Sequence, residues 1–402
     1  MDDTPVYQDL TEDNLARFNA YDDHETVRRF ELTDGIVAFI AVHNTNLGPG
    51  LGGCRMRPYG DEDEAIRDVL RLSRGMTYKN AVAGLPLGGG KAVIIGNHRT
   101  QKTTELMEAM GRAVETLGGS YVTAEDSGSG EEDMVAIARY TDHVTGLPPM
   151  KNTDTNYGEL GGNPSPVTAL GCYNGIKEAI RFCYEGRRDL ADMHVAVQGV
   201  GAVGLGLCEL LQQDGVKLTI TDVSQEGLDR AKEVLDDVTI VAPNEIYSVD
   251  ADIFSPCAMG GSLNDETIKE LKVDIVAGAA NNQLLLEHHD QALTDRKIIY
   301  VPDYVINSGG VICVGYEYFR KTDYNPMDFD FTRDAMLAHV EKIGLTVFDI
   351  LQLAKDQNLN TGEAADNLAE KRFLEGAPLH GENSTEEAQA SSELTHDRTL
   401  VQ

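Results

Sequence analysis

The chain has 402 residues and carries 66 acidic against 34 basic side chains, a formal charge of -32 at neutral pH. That length predicts two or three domains with room for buried cores. The charge repels phosphate backbones and anionic lipid, no apolar run approaches the ~18 residues of a membrane span, and the acidic stretch Met1 to Leu10 lacks a leader pattern. Nucleic acid and membranes are thereby excluded as partners, and a soluble, cytoplasmic protein acting on small molecules is expected.

The acid excess is spread along the whole chain. Self-repulsion of this kind is relieved by screening, which predicts adaptation to concentrated salt. The six cysteines (Cys54, Cys172, Cys183, Cys208, Cys257, Cys313) are scattered with no CxxC pair. They read as reduced, mostly buried side chains, and no metal is expected. His288 and His289 lie in a polar stretch that reads as an exposed helix start.

In chain order, Ile36 to Val42 reads as a strand and Asp61 to Met76 as a helix closing on Gly75, with an acidic first turn and apolar residues at helical spacing. Met76 to Gly96 (MTYKNAVAGLPLGGGKAVIIG) fails as a Walker A motif at Leu85 and Ala92. It leaves Lys79 and Lys91 among Gly, Ala, Leu and Val, where an ammonium pKa is pulled down toward acid/base use. The glycine run is expected to leave the Lys91 backbone open to a ligand. Tyr121 to Gly128 reads as a strand ending on Glu125 and Asp126, which either cap the next helix or carry protons beside the lysines.

Met150 to Pro166 lacks periodicity and reads as a boundary loop. Beyond it, short apolar runs (HVAVQ, KLTITD, VTIVAP, ADIFSP, VDIVAG, KIIYVP) alternate with helical segments, the pattern of a parallel sheet covered on both faces. Phe329 to Phe373 reads as helix, and the tail 376–402 as a disordered acidic segment.

Gly199-Val200-Gly201-Ala202-Val203-Gly204 follows the strand His194 to Gln198 and opens an apolar helix. The spacing suits a tight turn at Gly199, close approach of a pyrophosphate at Gly201, and helix-on-strand packing at Gly204. Asp222 ends the next strand about 20 residues on, placed to accept from a ribose diol. No arginine follows in Val223, Ser224 or Gln225, so NAD is favoured over NADP.

Eight segments occur in order: GPGLGGCRM (Gly48 to Met56), the Lys79/Lys91 segment, TAEDSG, GNPSPVTALG, GVGAVG, IFSPCAM, AGAANNQL and YVPDYVINSGGVICV. Together they strongly resemble the leucine/valine/phenylalanine branch of the Glu/Leu/Phe/Val amino-acid dehydrogenase superfamily. The resemblance covers roughly residues 25–375. It implies a two-domain α/β protein: a substrate-binding and oligomerisation domain at 1–155, joined by C-terminal helices at about 345–375, and a Rossmann NAD-binding domain at 165–340, with chemistry in the cleft between them.

By that resemblance Lys79 pairs with the substrate carboxylate, helped by the backbone at Gly52 and Gly53. Lys91 is the general acid/base that activates water against an imine, and Asp126 exchanges a proton with the amino nitrogen. Thr168 holds the nicotinamide amide, while Cys257, Asn281 and Asn282 line the cofactor side. A homo-oligomer is implied, with L-amino acid, 2-oxo acid and ammonium as small-molecule partners.

The side-chain pocket maps onto Leu51, Met76, Ala124, Val311 and Val314, apolar throughout and without a cation for a side-chain carboxylate. A branched aliphatic amino acid is expected, with leucine, valine and isoleucine overlapping. Gly50 and Cys313 depart from the family pattern of Ala and Asn, and are expected to reshape the pocket toward larger side chains.

Overall fold

The computed structural model describes residues 5–11, 15–149, 160–326, 328 and 330–375. Two six-stranded sheets organise it. The first holds β1 (Tyr7–Asp9), β2 (Thr26–Glu31), β3 (Val37–Asn44), β4 (Gly50–Arg57), β5 (Gly88–Ile95) and β6 (Tyr121–Glu125), in the order β1-β2-β3-β5-β4-β6. β1, β2, β3 and β5 pair antiparallel in succession, whereas β4 runs parallel to both β5 and β6. Helices α1 (Glu62–Val82), α2 (Thr104–Glu115) and α3 (Glu131–Ile137) accompany this sheet.

Helix α1 begins as the sequence predicts, with the Asp61 carboxylate accepting the Glu64 N–H at 2.7 Å and three acidic residues in the first turn. It does not close on Gly75. A mid-helix glycine costs only about 1 kcal/mol, and Thr77, Tyr78, Asn80, Ala81 and Val82 beyond it are all buried, so packing carries the helix onward. Lys79 consequently stands in its last turn.

The glycine run also departs from expectation. Gly88, Gly89 and Gly90 are buried in β5, the strand between β3 and β4. A Cβ on Gly88 would lie 2.0 Å from the Asn44 carbonyl oxygen, on Gly89 2.2 Å from the Thr77 nitrogen, and on Gly90 2.5 Å from the Tyr121 ring. These glycines let helix α1 and neighbouring chain press onto the strand; they do not open the Lys91 backbone to a ligand.

The second sheet is parallel throughout: β7 (His194–Gln198), β8 (Lys217–Thr221), β9 (Thr239–Ile240), β10 (Ile253–Pro256), β11 (Ile275–Val276) and β12 (Ile299–Tyr300), ordered β12-β11-β10-β7-β8-β9. Every apolar run named above supplies one of these strands, though β9, β11 and β12 keep only two residues each. Helices α4 (Ser165–Cys183), α5 (Ala202–Gln213), α6 (Gln225–Val234), α7 (Thr267–Glu270) and α8 (His288–Asp295) alternate with them. Then α9 (Asp303–Ile306), α10 (Gly309–Thr322), α11 (Arg333–Gln357) and α12 (Thr361–Phe373) complete the order.

The C-terminal stretch expected as helix forms two helices. Asn358, at φ 55°, ends α11 in the left-handed region, and the Asn360 side chain caps α12. Helix α12 returns to the first sheet, where the Arg372 guanidinium donates to the carbonyls of Ala81 and Val82, both at 2.9 Å. Phe329, most of the expected boundary loop (150–159) and the expected disordered tail (376–402) lie outside the described residues. No helix among the described residues is long and apolar enough to cross a membrane.

Candidate functional site

A cavity of about 340 Å³ opens between the two sheets. Leu51, Gly52 and Gly53 reach it from β4, Met76 and Lys79 from α1, Lys91 from β5, and Ala124 and Asp126 from β6 and the residue after it. From the other side come Thr168 on α4, Val203 on α5, Asn281, and Val311 and Val314 on α10. A larger hollow of about 660 Å³ lies around Arg17, Asp63, Arg67 and Arg71. There Arg17 pairs with Asp63, Arg71 pairs with Asp68 and the Arg67 Nε donates to the Asp63 carbonyl, so these charged groups are already engaged with one another, beside Phe18 and Ala20.

Lys91 is buried at 6 % exposure, with its Nζ 2.5 Å from Asp126 Oδ2. Burial pushes the Asp126 carboxyl up, but Lys91 and then Arg55 outweigh it and hold the group down at about 2. Asp126 is not the cap of the following helix: Gly130 occupies that position and the Asp133 carboxylate accepts its N–H. Gly52 and Gly53 make room for this arrangement, since a Cβ on the first would meet the Gly90 carbonyl oxygen at 1.8 Å and on the second Asp126 Cβ at 2.8 Å.

Lys79 donates to Asn307 Oδ1 at 2.6 Å. Burial pulls its ammonium down to about 8, with Asp303 opposing and Lys91 adding to the fall. Asn307 in turn donates from Nδ2 to Asn281 Oδ1 at 2.7 Å, tying the lysine to the opposite wall. Sequence reasoning missed Asn307; its signal was the lone amide in YVPDYVINSGGVICV. Arg55 was also passed over, although it lies within GPGLGGCRM.

The glycine fingerprint lies beside this cavity, sharing Val203 with it. Gly199 turns at φ 95°, and a Cβ on Gly204 would lie 2.0 Å from the Gly199 carbonyl oxygen. Gly201 stands at the N-terminus of α5 without a side-chain cap, and a Cβ there would meet nothing within 4 Å. Its Ala202 neighbour begins the helix, and Asp222 Oδ2 accepts the Val200 N–H at 2.8 Å, which fixes the carboxylate at the turn. Open space, an uncapped helix start and a pinned carboxylate fit a dinucleotide.

Some expected residues stand apart. Asn282 is not in the cavity lining; its Oδ1 accepts from Arg71 on α1 at 3.3 Å, and its backbone sits at φ 52°. Cys257 lies beneath the glycine turn, its N–H donating to the Gln198 carbonyl. Neither Gly50 nor Cys313 lines the cavity, so neither can reshape it directly; Cys313 faces a separate hollow of about 60 Å³ with Leu160 and Arg333.

The histidine pair is corrected too. His288 is exposed, but His289 is fully buried. Their donor atoms lie within 4.8 Å of each other and of an Asp265 oxygen. His289 Nδ1 accepts the Leu286 N–H at 3.0 Å, and its Nε2 lies 3.3 Å from an Asp265 oxygen without hydrogen-bond alignment to it.

Two family models match the chain: the dimerisation domain of the Glu/Leu/Phe/Val dehydrogenases over residues 24–143, and the Glutamate/Leucine/Phenylalanine/Valine dehydrogenase domain over 218–377. Leucine dehydrogenase of Bacillus cereus is 44% identical over 365 residues, spanning 91% of this chain and 94% of that protein. Phenylalanine dehydrogenase of Bacillus thermotolerans is 41% identical, with 92% of each covered. The crystal structure of L-tryptophan dehydrogenase from Nostoc punctiforme superposes with a TM-score of 0.74 at 41% identity, over 87% of this chain and 96% of that one.

Proposed function

We propose, from the premise that the chain belongs to the Glu/Leu/Phe/Val dehydrogenase family, that this amino-acid dehydrogenase deaminates branched aliphatic L-amino acids reversibly to 2-oxo acids and ammonium. The supporting observation is one cavity that sets two lysines and a carboxylate against an apolar wall of Leu51, Met76, Ala124, Val311 and Val314. An aliphatic side chain meets no cation on that wall, which disfavours a second carboxylate. Phenylalanine or a bulkier amino acid is the second reading, favoured by relatives named for phenylalanine and tryptophan.

Bound NAD would supply the acceptor for the hydride that leaves the substrate Cα. The chain's own residues do the rest. Gly199, Gly201 and Gly204 with the start of α5 would hold the pyrophosphate, Asp222 would take the ribose diol, and Thr168 would orient the nicotinamide amide. Lys79, steadied by Asn307, pairs with the substrate carboxylate together with the backbone at Gly52 and Gly53. Asp126 exchanges a proton with the amino nitrogen, and Lys91 activates the water that attacks the imine carbon. The first sheet's match to a dimerisation domain supports a homo-oligomer.

The test is NADH formation by the purified protein with L-leucine, L-valine, L-isoleucine, L-phenylalanine and L-glutamate, in dilute and in molar KCl. Turnover led by the branched aliphatics is expected. A phenylalanine lead would transfer the assignment to the second reading, and silence with every substrate despite NAD binding would leave a non-catalytic sensor.

A further inference from the structure

Arg55 stands on β4 between two carboxylates that would otherwise repel one another across a half-buried gap. Its Nε lies 3.3 Å from Asp126 Oδ2, and its Nη1 donates to Asp68 Oδ2 at 3.1 Å. Asp68 belongs to α1, the helix that carries Lys79, and is itself buried; it also accepts from the Tyr59 hydroxyl at 2.9 Å and from Arg71 at 3.1 Å. Three elements therefore meet through one guanidinium: α1 through Asp68, β4 through Arg55 itself, and the end of β6 through Asp126.

We propose that Arg55 is a positioning residue: it ties Asp126 to helix α1 through Asp68 and keeps the carboxylate facing Lys91 while substrate is processed. This deepens, and rests on, the dehydrogenase reading above. The contact with Asp126 is a charge contact, because the Nε–H is not aimed at the oxygen. The aligned hydrogen bond is the one to Asp68, so the guanidinium's orientation is fixed from the side away from the chemistry.

The planar fork accounts for arginine here, since a lysine ammonium is a single point and cannot address both carboxylates with fixed geometry. Loss of the guanidinium removes one of the two cations that oppose protonation of Asp126. The carboxyl then takes up its proton at higher pH, and Asp126 keeps Lys91 and the Ser127 N–H but loses its tie to helix α1.

The experiment compares Arg55→Gln and Arg55→Lys with the unaltered protein, reading kcat, KM, the pH profile of kcat/KM, NAD binding and melting temperature. Arg55→Gln should lower kcat by about tenfold or more with KM changed by less than about threefold. The acidic limb of its profile should move upward. Arg55→Lys should return the limb toward its original place while recovering only part of kcat. A carboxyl-carbon NMR titration of Asp126, needing no substrate, should show the same upward move in Arg55→Gln. An Arg55→Gln protein that binds NAD with the Asp126 titration unmoved, or that keeps full kcat, would overturn the assignment. Silence of the unaltered protein with every amino acid would sink the dehydrogenase reading, and the titration would still decide what Arg55 does to Asp126.

Discussion

Glycine performs opposite tasks in the two halves of this protein. In the first sheet Gly88, Gly89 and Gly90 are crowded by Asn44, Thr77 and Tyr121, and Gly52 and Gly53 by Gly90 and Glu125. In the second, Gly201 faces open space at the start of α5 and Gly199 supplies a positive φ. The first set thins the protein so that charged groups can be packed close together in its interior. The second exposes backbone so that a ligand can be held by N–H groups. The first half brings Lys79, Lys91 and Asp126 to the cavity, with Arg55 behind Asp126; the second brings a glycine turn and a helix start beside it, with Asp222 at that turn.

The comparison is sharpened by mutants that separate the two tasks. The largest effect is expected from Lys91→Ala, which should cut kcat by about a thousandfold, within the usual range for a general acid/base, while NAD affinity measured by fluorescence titration stays the same. Substantial residual turnover would remove Lys91 from its proposed role.

Lys79→Ala should chiefly raise KM for the amino acid, by roughly thirtyfold for a lost charge-assisted contact. The same group predicts a pH dependence. Because burial brings Lys79 down to about 8, the unoccupied site keeps its cation below that pH and loses it above. KM for the amino acid should then be flat in mildly acidic to neutral buffer and rise as pH climbs through about 8. A KM that falls over that interval would break the pairing with the substrate carboxylate.

The same substitution placed in each half gives a direct contrast. Gly89→Ala drives a methyl group against the Thr77 backbone and should destabilise the fold by about 1–3 kcal/mol, read as a lowered melting temperature. Gly201→Ala meets nothing in the fold itself and should leave melting unchanged while weakening NAD. If both acted on stability alone, the proposed division of labour would fail. The smallest effect is general: with -32 formal charges, stability should rise from dilute buffer toward molar KCl as self-repulsion is screened.

Local grammar made much of this legible. The second sheet could be read strand by strand because fully buried parallel strands are short apolar runs, and the dinucleotide turn because its glycines stand between a strand and a helix. Helix α1 was misjudged at Gly75 because tertiary burial of Tyr78 through Val82 overrides a local stop signal. The break at Asn358 rests on a single left-handed residue inside an otherwise helical pattern, so its position had no periodic signal. Asn307, Arg55 and Asp68 escaped because their meaning lies in partners far away in sequence. Asn307 meets Lys79 across 228 positions, a relation that periodicity cannot carry.

The capping of α1 by Arg372 bears on how the molecule is made. The guanidinium reaches carbonyls 291 and 290 positions upstream, so the helix that carries Lys79 receives these two hydrogen bonds only after α12 has been synthesised. During translation the first sheet emerges early, yet its helix lacks both guanidinium bonds until the whole second sheet has been produced in between. The half that is first in sequence is thus the last to be completed, and a chain shortened before α12 would carry every group in the cavity on an unfinished support.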